Sequence, residues 1–282
     1  MTYALELRNV SKHYAKFDLE DINLALPRGC IMGLIGENGA GKSTVIKLIL
    51  NLIQRDGGEI DVLDTPAEVF SAERNAAIGV VTDECSIPDQ FNLKQVNDIM
   101  QDIYPNWDKA AFFQLAEQFR LPDKVRIKTY SRGMKMKLSI AAALSHHAQL
   151  LILDEATSGL DPVVRDEILD LFLEFIQNEN HAVLMASHIT SDLEKVCDYI
   201  TYISKGRIEL SMEKDRLLEE YGIFKGSEEQ LLDIPEDAIV RVRRHPYGAE
   251  ALIHREGVNG AFHTERPTLE SIMLFFNKGT QR

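Results

Sequence analysis

The sequence has few of the residues that build disulfide-stabilised or zinc-binding folds. Its three cysteines, Cys30, Cys85 and Cys197, are widely separated and include no CxxC pair. An odd number of cysteines at such distances argues against a disulfide framework or a structural zinc site. The same cysteine usage suits a protein that works in a reducing cytoplasm.

Long hydrophobic stretches are also missing. The N-terminal residues lack the apolar core of a secretory signal. No stretch approaches the roughly 18 apolar residues that are needed to cross a bilayer. If the protein works at a membrane, we therefore expect another chain to supply the membrane-spanning part.

Positive charge is in deficit. The chain has 31 Lys and Arg against 44 Asp and Glu, which gives a formal net charge of -13. Proteins that grip nucleic acid do so largely by neutralising phosphates with basic side chains. The charge balance therefore predicts no nucleic-acid partner.

Alternating strands and helices dominate the larger part of the chain. Its 282 residues favour one large and one small domain. Residues 3–10 and 17–26 alternate like two antiparallel strands, and a helix is expected from residue 42, with Val45, Ile46, Leu48, Ile49, Leu52 and Ile53 on its apolar face. Short apolar runs typical of buried strands occupy residues 30–35, 76–82, 150–153, 181–187 and 199–204. Helical patterns separate them, at 93–121 with an interruption near 104–106, at 132–147, and from 162 to about 178. This order predicts an α/β fold with a largely parallel central sheet and an attached antiparallel β subdomain.

The pattern changes after about residue 211. A charged helix is expected at 212–221, followed by short segments such as 238–242 and 261–263 and a final helix at 268–277. We interpret residues 1–215 as the main domain, with a helical subdomain at about 86–147. We interpret residues 216–282 as a small α+β appendage with a docking and stabilising role and no ligand of its own.

Residues 36–43 match the pattern GxxxxGK[ST] of a phosphate-binding loop. The match follows an apolar strand and opens a helix, as the motif requires. Its glycines let backbone N–H groups turn towards phosphate oxygens, and the helix N-terminus favours an anion. Lys42 would reach the β- and γ-phosphates, and Ser43 would ligate Mg²⁺.

Polar side chains follow two other buried strands. Asp154 and Glu155 end the run at 150–153, and His188 follows the run at 181–187. Ligands of open parallel sheets bind at such carboxyl ends. Asp154 is therefore expected to hold the Mg²⁺ shell, Glu155 to act as the general base, and His188 to donate to the γ-phosphate.

With these motifs in their order, residues 3 to about 215 resemble the nucleotide-binding subunits of ABC transporters, and the chain is expected to have their P-loop NTPase fold. The resemblance rests also on Tyr14 in a segment before the loop, on a signature at 130–134 and on a loop at 158–162. It implies that Tyr14 stacks on adenine, that Ser131 and Gly133 donate to a γ-phosphate bound by a second subunit, and that Asp161 belongs to a loop that crosses to that subunit. The residues expected to contact ATP are Tyr14, Gly36, Glu37, Asn38, Gly39, Ala40, Gly41, Lys42, Ser43, Thr44, Ser131, Gly133 and Asp161.

Two departures from the family's pattern matter. The signature of the family usually reads LSGGQ, whereas this chain has Tyr-Ser-Arg-Gly-Met at 130–134. Two roles stay open for Arg132, a positive charge near phosphate or a solvated surface arginine. Asp83 occupies the place of a γ-phosphate-sensing glutamine; it can accept from a metal-bound water and is included in the metal set with Ser43 and Asp154. Its extra negative charge puts the metal affinity and the hydrolysis rate in question.

The resemblance implies ATP and Mg²⁺ as cofactors, a homodimer with two sandwiched ATPs, and a membrane permease as partner. It also implies an ATPase that is peripheral on the inner face of the cell membrane. Asp83, the signature and residues 266–273 are similar to a bacterial subgroup of multidrug and antibiotic-resistance exporters. The alternative is a soluble or regulatory ATPase of the same family, which signals its nucleotide state to a protein partner.

Overall fold

The structure is a computed structural model that describes residues 2–258 and 262–280. In chain order, its strands are β1 (Tyr3–Tyr14), β2 (Phe17–Pro27), β3 (Ile31–Ile35), β4 (Gly57–Val62), β5 (Thr65–Pro66), β6 (Ile78–Val81), β7 (Leu150–Asp154), β8 (Ala182–Ala186), β9 (Tyr199–Ser204), β10 (Arg207–Glu213), β11 (Tyr221–Gly226), β12 (Ile239–His245), β13 (Gly248–His254) and β14 (Thr264–Glu265). Its helices are α1 (Lys42–Ile49), α2 (Ala72–Ala76), α3 (Leu93–Ile103), α4 (Lys109–Gln118), α5 (Arg132–Leu144), α6 (Pro162–Phe175), α7 (Thr190–Val196), α8 (Lys214–Glu220), α9 (Glu228–Leu232) and α10 (Leu269–Lys278).

A six-stranded sheet of order β10-β9-β3-β8-β7-β6 forms the centre of the molecule. All of its neighbouring strands are parallel except β10, which runs antiparallel to β9. Alternate residues of β7 belong to different apolar clusters, Leu151 and Leu153 to one and Leu150 and Ile152 to the other. The sheet is therefore covered on both faces, which explains the uninterrupted apolar runs of its strands. The predicted α/β fold with a parallel central sheet is confirmed.

The parallel arrangement brings the candidate site together. Strands β3, β7 and β8 are neighbours, and the loop at 36–41, Asp154 and His188 follow or end these strands. Because the carboxyl ends of parallel strands meet at one edge of a sheet, these groups share one crevice.

The antiparallel sheet expected at the N-terminus is present, with order β2-β1-β4-β5. Strands β1 and β2 pair antiparallel from Tyr3 opposite Pro27 to Tyr14 opposite Phe17, with register shifts along the way. Strand β1 thus extends further than the expected 3–10 and carries Tyr14 to its end.

Helices α3, α4 and α5 occupy the segment expected to be helical. The predicted interruption near 104–106 is observed, since α3 ends at Ile103 and α4 begins at Lys109 behind an Asp108 cap. Phe112 and Phe119 are buried in the central apolar cluster, so most aromatic side chains here serve the core. The treatment of 86–147 as a separate subdomain stays a prediction.

A third sheet, of order β12-β13-β11-β14, lies in the C-terminal part and packs with α10. The predicted boundary at 215/216 falls inside α8, and the division into domains 1–215 and 216–282 stays a prediction. The expected segment 261–263 begins at Ala261, which lies outside the described residues. Among the described residues, no helix is long and apolar enough to cross a membrane.

Two expected helices have different limits. Helix α1 ends at Ile49, and Leu52 is 68% exposed, so its expected place on the apolar face is wrong. The left-handed backbone of Asn51, with φ 52°, ends the helical path before Leu52. The charged helix begins at Lys214 rather than 212, because Met212 pairs with Ile200 as part of β10.

Candidate functional site

The loop between β3 and α1 forms an open cradle. Gly41 has φ 119°, a left-handed conformation that favours glycine, and it directly precedes α1. A Cβ at Gly36 would lie 2.4 Å from the carbonyl oxygen of Ile203, whereas a Cβ at Gly39 would meet nothing within 4 Å. The loop is therefore packed at its base and open at its tip. Glu37, Asn38 and Gly39 are exposed there, Ala40 is buried, and Ser43 and Thr44 lie at the start of α1.

Lys42 is the buried cation of this cradle, with 6% of its surface exposed. Its Nζ donates to the carbonyl oxygen of Gly36 at 2.7 Å and lies 3.8 Å from Oε1 of Glu155. A lysine almost never loses this much contact with water unless it is paired. Its charge is thus available inside the crevice to neutralise an anion that enters the cradle.

Asp154 is the residue whose surroundings best fit a cation. Its Oδ1 is buried and has no hydrogen-bond partner. Burial raises the pKa of Asp154, and Glu155 and Asp83 add to the rise, while the Ser43 hydroxyl and Lys42 oppose it. A buried carboxylate oxygen without a partner is costly, and a bound cation would satisfy it.

The donor set around Asp154 suits Mg²⁺ rather than a metal held by protein alone. No group of three or more His, Cys, Asp or Glu side chains in the described part of the chain could hold a metal ion. Mg²⁺ is commonly bound by one or two carboxylates together with substrate phosphates and water. Ser43 and Asp154 therefore fit a magnesium ion that arrives with a phosphate ligand.

Glu155 and His188 form a close pair beside Lys42. The Nδ1 atom of His188 lies 2.6 Å from Oε2 of Glu155, and the two side chains come from the ends of neighbouring strands β7 and β8. Glu155 has φ 54°, a conformation that few residues other than glycine adopt. Its backbone N–H donates to the carbonyl oxygen of Ala186 at 2.9 Å, which fixes this geometry. Strained backbone of this kind is concentrated at functional sites.

Tyr14 stands at the edge of a cavity of about 540 Å³ that also includes Glu37, Asn38 and Gly39. The ring is 46% exposed, and the ammonium group of Lys12 lies 5.6 Å from its centroid. An exposed aromatic face next to the phosphate-loop tip has room for a flat base to stack.

The signature and the loop at 158–161 lie at the starts of helices α5 and α6. Ser131 caps α5, and its hydroxyl oxygen accepts from the backbone N–H of Met134 at 3.2 Å. Gly133 lies in the first turn of that helix, and Asp161 caps α6 by accepting from Val164. The hydroxyl proton of Ser131 stays available to a ligand, and the N-terminus of α5 favours an anion.

Asp83 follows β6 and lines a separate cavity of about 690 Å³ together with Arg132. It is close enough to the cradle to act electrostatically on Asp154.

The structure brings Lys42, Ser43, Asp154, Glu155 and His188 into one crevice. Ser131, Gly133 and Asp161 do not line the cavity beside the phosphate loop.

Two features of the site are not expressed in any sequence pattern. The guanidinium of Arg132 packs on Gly159, and Arg165 Nε lies 3.8 Å from Oδ2 of the buried Asp192. Asp192 lies on α7, just after His188, while Arg165 also donates to the carbonyl oxygen of Leu160. These contacts join segments that are distant in sequence. For Asp192, the sequence offers one indication, a carboxylate beside the apolar residues of a helix.

Comparisons with known proteins point to one family. Residues 19–158 match the family described as ABC transporter. The chain is 30% identical over 218 residues to the ABC transporter ATP-binding protein YtrB of Bacillus subtilis, which covers 77% of this chain and 74% of that protein. It is 32% identical over 220 residues to the lantibiotic transport ATP-binding protein SrtF of Streptococcus pyogenes, covering 75% and 91%.

Two further proteins are similar over most of their length. The Nod factor export ATP-binding protein I of Bradyrhizobium diazoefficiens is 30% identical over 244 residues, which cover 82% of this chain and 79% of that protein. A solved ATP-binding subunit of an ABC transporter superposes with a TM-score of 0.70 at 26% identity, covering 77% of this chain and 92% of that chain.

Proposed function

The chain belongs to the ABC transporter ATP-binding subunits, which bind and hydrolyse ATP, and from this premise we propose that it powers an exporter through ATP-driven closure and opening of a homodimer. The observation that carries the proposal is the crevice in which Lys42, Asp154, Glu155 and His188 converge on the phosphate loop. Catalysis of this reaction class is mainly positioning and charge stabilisation.

Residues of the phosphate loop hold the triphosphate in this proposal. Backbone N–H groups around Gly39 and Gly41 face the phosphates, and Thr44 and Ser43 extend the cradle into the first turn of α1. Lys42 exchanges its bond to the Gly36 carbonyl for phosphate oxygens. The exposed ring of Tyr14 stacks on adenine at the rim of the neighbouring cavity.

In this proposal Ser43 and Asp154 would hold Mg²⁺, and Asp83 would accept from a water bound to it. The ion would supply positive charge that neutralises the phosphates. The buried, unpartnered Oδ1 of Asp154 supports this assignment. Burial, which raises the pKa of Asp154, leaves a negative charge on this side chain poorly solvated, and a cation would stabilise it.

Glu155 acts as the general base, and His188 orients it and donates to the γ-phosphate. Their 2.6 Å contact and the left-handed backbone of Glu155 support the pairing. A carboxylate fixed in this way polarises the attacking water and takes up its proton, which requires a heavy-atom approach of about 2.6–3.2 Å.

The dimer follows from how the motifs are divided between two surfaces. Each chain has one phosphate loop and one signature, and the signature does not line the cavity beside its own loop. A second copy would bring Ser131, Gly133 and the loop of Asp161 over the nucleotide. A chain with one copy of every motif makes a symmetric homodimer the simplest assembly.

A membrane permease is the partner that supplies the spanning part, which places the subunit on the inner face of the cell membrane. An exposed cavity of about 270 Å³, lined partly by Val80, Tyr104 and His146, offers a place for side chains of a permease helix. Ile103, which precedes Tyr104 in the chain, is 59% exposed. The relative in Nod factor export supports the outward direction. Ile103→Asp should lower permease recovery from solubilised membranes, whereas Val125→Asp, a control on another exposed apolar residue, should not.

A regulatory ATPase that signals its nucleotide state is the alternative, favoured by the replacement of the sensing glutamine with Asp83. Membrane fractionation separates the two functions. A transporter subunit sediments with a permease, whereas a regulator stays with a protein that has no membrane-spanning part.

The dimer is tested by light scattering of the purified Glu155→Gln variant, in which ATP would bind without turnover. Mg·ATP should double the molar mass and Mg·ADP should leave the monomer. A monomer under both conditions would overturn the proposed cycle.

A further inference from the structure

Two charged side chains outside the crevice face each other without a hydrogen bond. Asp192 of α7 is 3% exposed, and its buried Oδ2 atom has no hydrogen-bond partner among the described residues. The Nε atom of Arg165 on α6 is also buried and unpartnered, and it lies 3.8 Å from that oxygen. Buried polar atoms are normally hydrogen-bonded, because the loss of water without a new partner is costly. The separation of this pair therefore needs an explanation.

Arg165 is fixed to the loop that leads away from Glu155. Its Nη2 atom donates to the carbonyl oxygen of Leu160 at 3.1 Å, and its backbone N–H donates to the carbonyl oxygen of Asp161 at 3.0 Å. At the other end of the loop, the backbone N–H of Ser158 donates to the carbonyl oxygen of Glu155 at 3.0 Å. A guanidinium has several donors in a rigid fork, so it can hold a carbonyl oxygen and attract a carboxylate at the same time.

Asp192 lies in the first turn of α7, the short helix that follows His188. The residue that precedes this helix is Ile189, whose side chain makes no capping hydrogen bond. A carboxylate in the first turn stabilises a helix N-terminus by itself, but it can do so while it is exposed to water. The burial of Asp192 against Arg165 is therefore not explained by helix stabilisation alone.

These contacts form a closed path beside the crevice. The path runs from Glu155 along its loop to Arg165, across 3.8 Å to Asp192, and back along the chain to His188, whose Nδ1 atom lies 2.6 Å from Oε2 of Glu155. An approach of about 1 Å would bring Arg165 and Asp192 to the distance of a charge-assisted hydrogen bond. Displacements of about 1 Å at a catalytic group can change a rate by about a hundredfold. The pair therefore has the reach and the attraction to influence where His188 lies.

We propose that Arg165 and Asp192 are positioning residues, which hold His188 against Glu155 by drawing the start of α7 towards α6. The inference rests on the proposed function, in which Glu155 is the general base and His188 orients it. Neither Arg165 nor Asp192 lines the cavity beside the phosphate loop, so their effect passes through His188 rather than through contact with the nucleotide in that cavity.

A double-mutant cycle of ATP hydrolysis tests this inference. Asp192→Asn and Arg165→Gln each remove the charge attraction and keep a polar side chain. Each should lower kcat by about tenfold and leave KM within about twofold, because nucleotide binding is unchanged. The double variant should lose no more than either single variant, since both changes break the same contact. Losses that multiply to about a hundredfold would show that the two residues act independently and would overturn the pairing.

Lys195→Ala is the matched control, because Lys195 of α7 pairs with Asp166 and Asp170 of α6 on the exposed surface. The change removes a contact between the same two helices and leaves the buried one intact. It should keep kcat within about twofold of the wild-type value, as expected of a surface ion pair. A fall equal to that in Asp192→Asn would show that only the general packing of α7 on α6 matters.

NMR of isotope-labelled histidine reports on the imidazole of His188 without nucleotide. Its signal is identified by its absence in His188→Ala. The signal should shift in Asp192→Asn and Arg165→Gln and stay in place in Lys195→Ala. An unmoved signal in the first two variants would overturn the inference. A wild-type protein that fails to hydrolyse ATP would overturn the proposed function instead, so the two failures are distinguishable.

Melting temperatures of all variants separate these effects from loss of the fold. If Asp192→Asn does not fold, Arg165→Gln carries both measurements, because the side chain of Arg165 is partly exposed and its loss is better tolerated. An Arg165→Gln variant with the kcat and the His188 signal of the wild-type protein would then contradict the proposed role.

Discussion

The Nδ1 atom of His188 lies 2.6 Å from Oε2 of Glu155, and Nζ of Lys42 lies 3.8 Å from the other oxygen of the same carboxylate. Two residues from separate sequence motifs thus approach the side chain of a third, Glu155. The contact exists because β7 and β8 are parallel neighbours and the phosphate loop follows β3, the next strand. The carboxylate of Glu155 is therefore placed between the cation that would hold phosphate and the imidazole that would sense it.

Replacing Glu155 by glutamine should separate binding from turnover. Glu155→Gln keeps the shape of the side chain but cannot take a proton, so kcat should fall by about 10²–10⁴-fold. ATP affinity should stay within about threefold, because the phosphate loop is unchanged. Phosphate release and isothermal titration measure the two quantities. Glu174→Gln on the exposed face of α6 serves as control. Equal rates in the two variants would show that Glu155 is not the general base.

Replacing Lys42 by alanine should weaken binding itself. The change removes the buried cation of the cradle, and the loss of a charged hydrogen bond to phosphate should lower ATP affinity by about 10–100-fold. Lys47→Ala, on the exposed face of the same helix, should bind normally. Titration with a fluorescent ATP analogue compares the two variants. Unchanged affinity in Lys42→Ala would count against the phosphate-loop assignment.

Removal of Mg²⁺ should stop hydrolysis and leave part of the binding. The loop amides and Lys42 still attract the triphosphate in EDTA, but the carboxylate of Asp154 then faces it without a neutralising ion. Phosphate release should fall to background in EDTA and recover when Mg²⁺ is added in excess. Asp154→Asn should lose this recovery. Full turnover in EDTA would exclude magnesium from the reaction.

The C-terminal part should contribute to stability through a single phenol. Tyr202 of β9 is buried and donates to the side-chain oxygen of Asn277, and its ring is tilted against that of Phe276 with the centroids 5.2 Å apart. Tyr202→Phe keeps the ring and removes the hydrogen bond, so the free energy of unfolding should fall by about 1 kcal/mol. Urea denaturation measures the change. In the control Tyr199→Phe, the lost phenol donates to the exposed Glu213, so the free energy of unfolding should fall by less than about 0.5 kcal/mol. Equal losses in the two variants would show that the hydrogen bond to α10 does not contribute more than a surface hydrogen bond.

The sequence was sufficient for the parts of the fold that depend on local patterns. Apolar runs located the strands β3, β7, β8 and β9, and the motif at 36–43 located the turn into α1. Parallel packing then explains why Asp154, Glu155 and His188 share one edge. These predictions succeed because strand burial and helix initiation are set by residues close in sequence.

Other features depend on contacts that no local pattern contains. Leu52 continues the apolar periodicity of α1, yet the left-handed Asn51 ends the helix before it. Met212 suits a helix, but pairing with Ile200 extends β10 through it. The packing of Arg132 on Gly159 joins the start of α5 to the loop before α6, and only the assembled structure places them together.

Thermal unfolding with and without nucleotide tests the central claim most directly, namely that a triphosphate and Mg²⁺ bind at Lys42, Ser43 and Asp154. At a Mg·ATP concentration 100 times the dissociation constant, binding should add about 2.7 kcal/mol of stability and raise the melting temperature by about 5 °C or more. Lys42→Ala should lose most of this rise. An identical melting temperature with and without Mg·ATP in the wild-type protein would contradict the account.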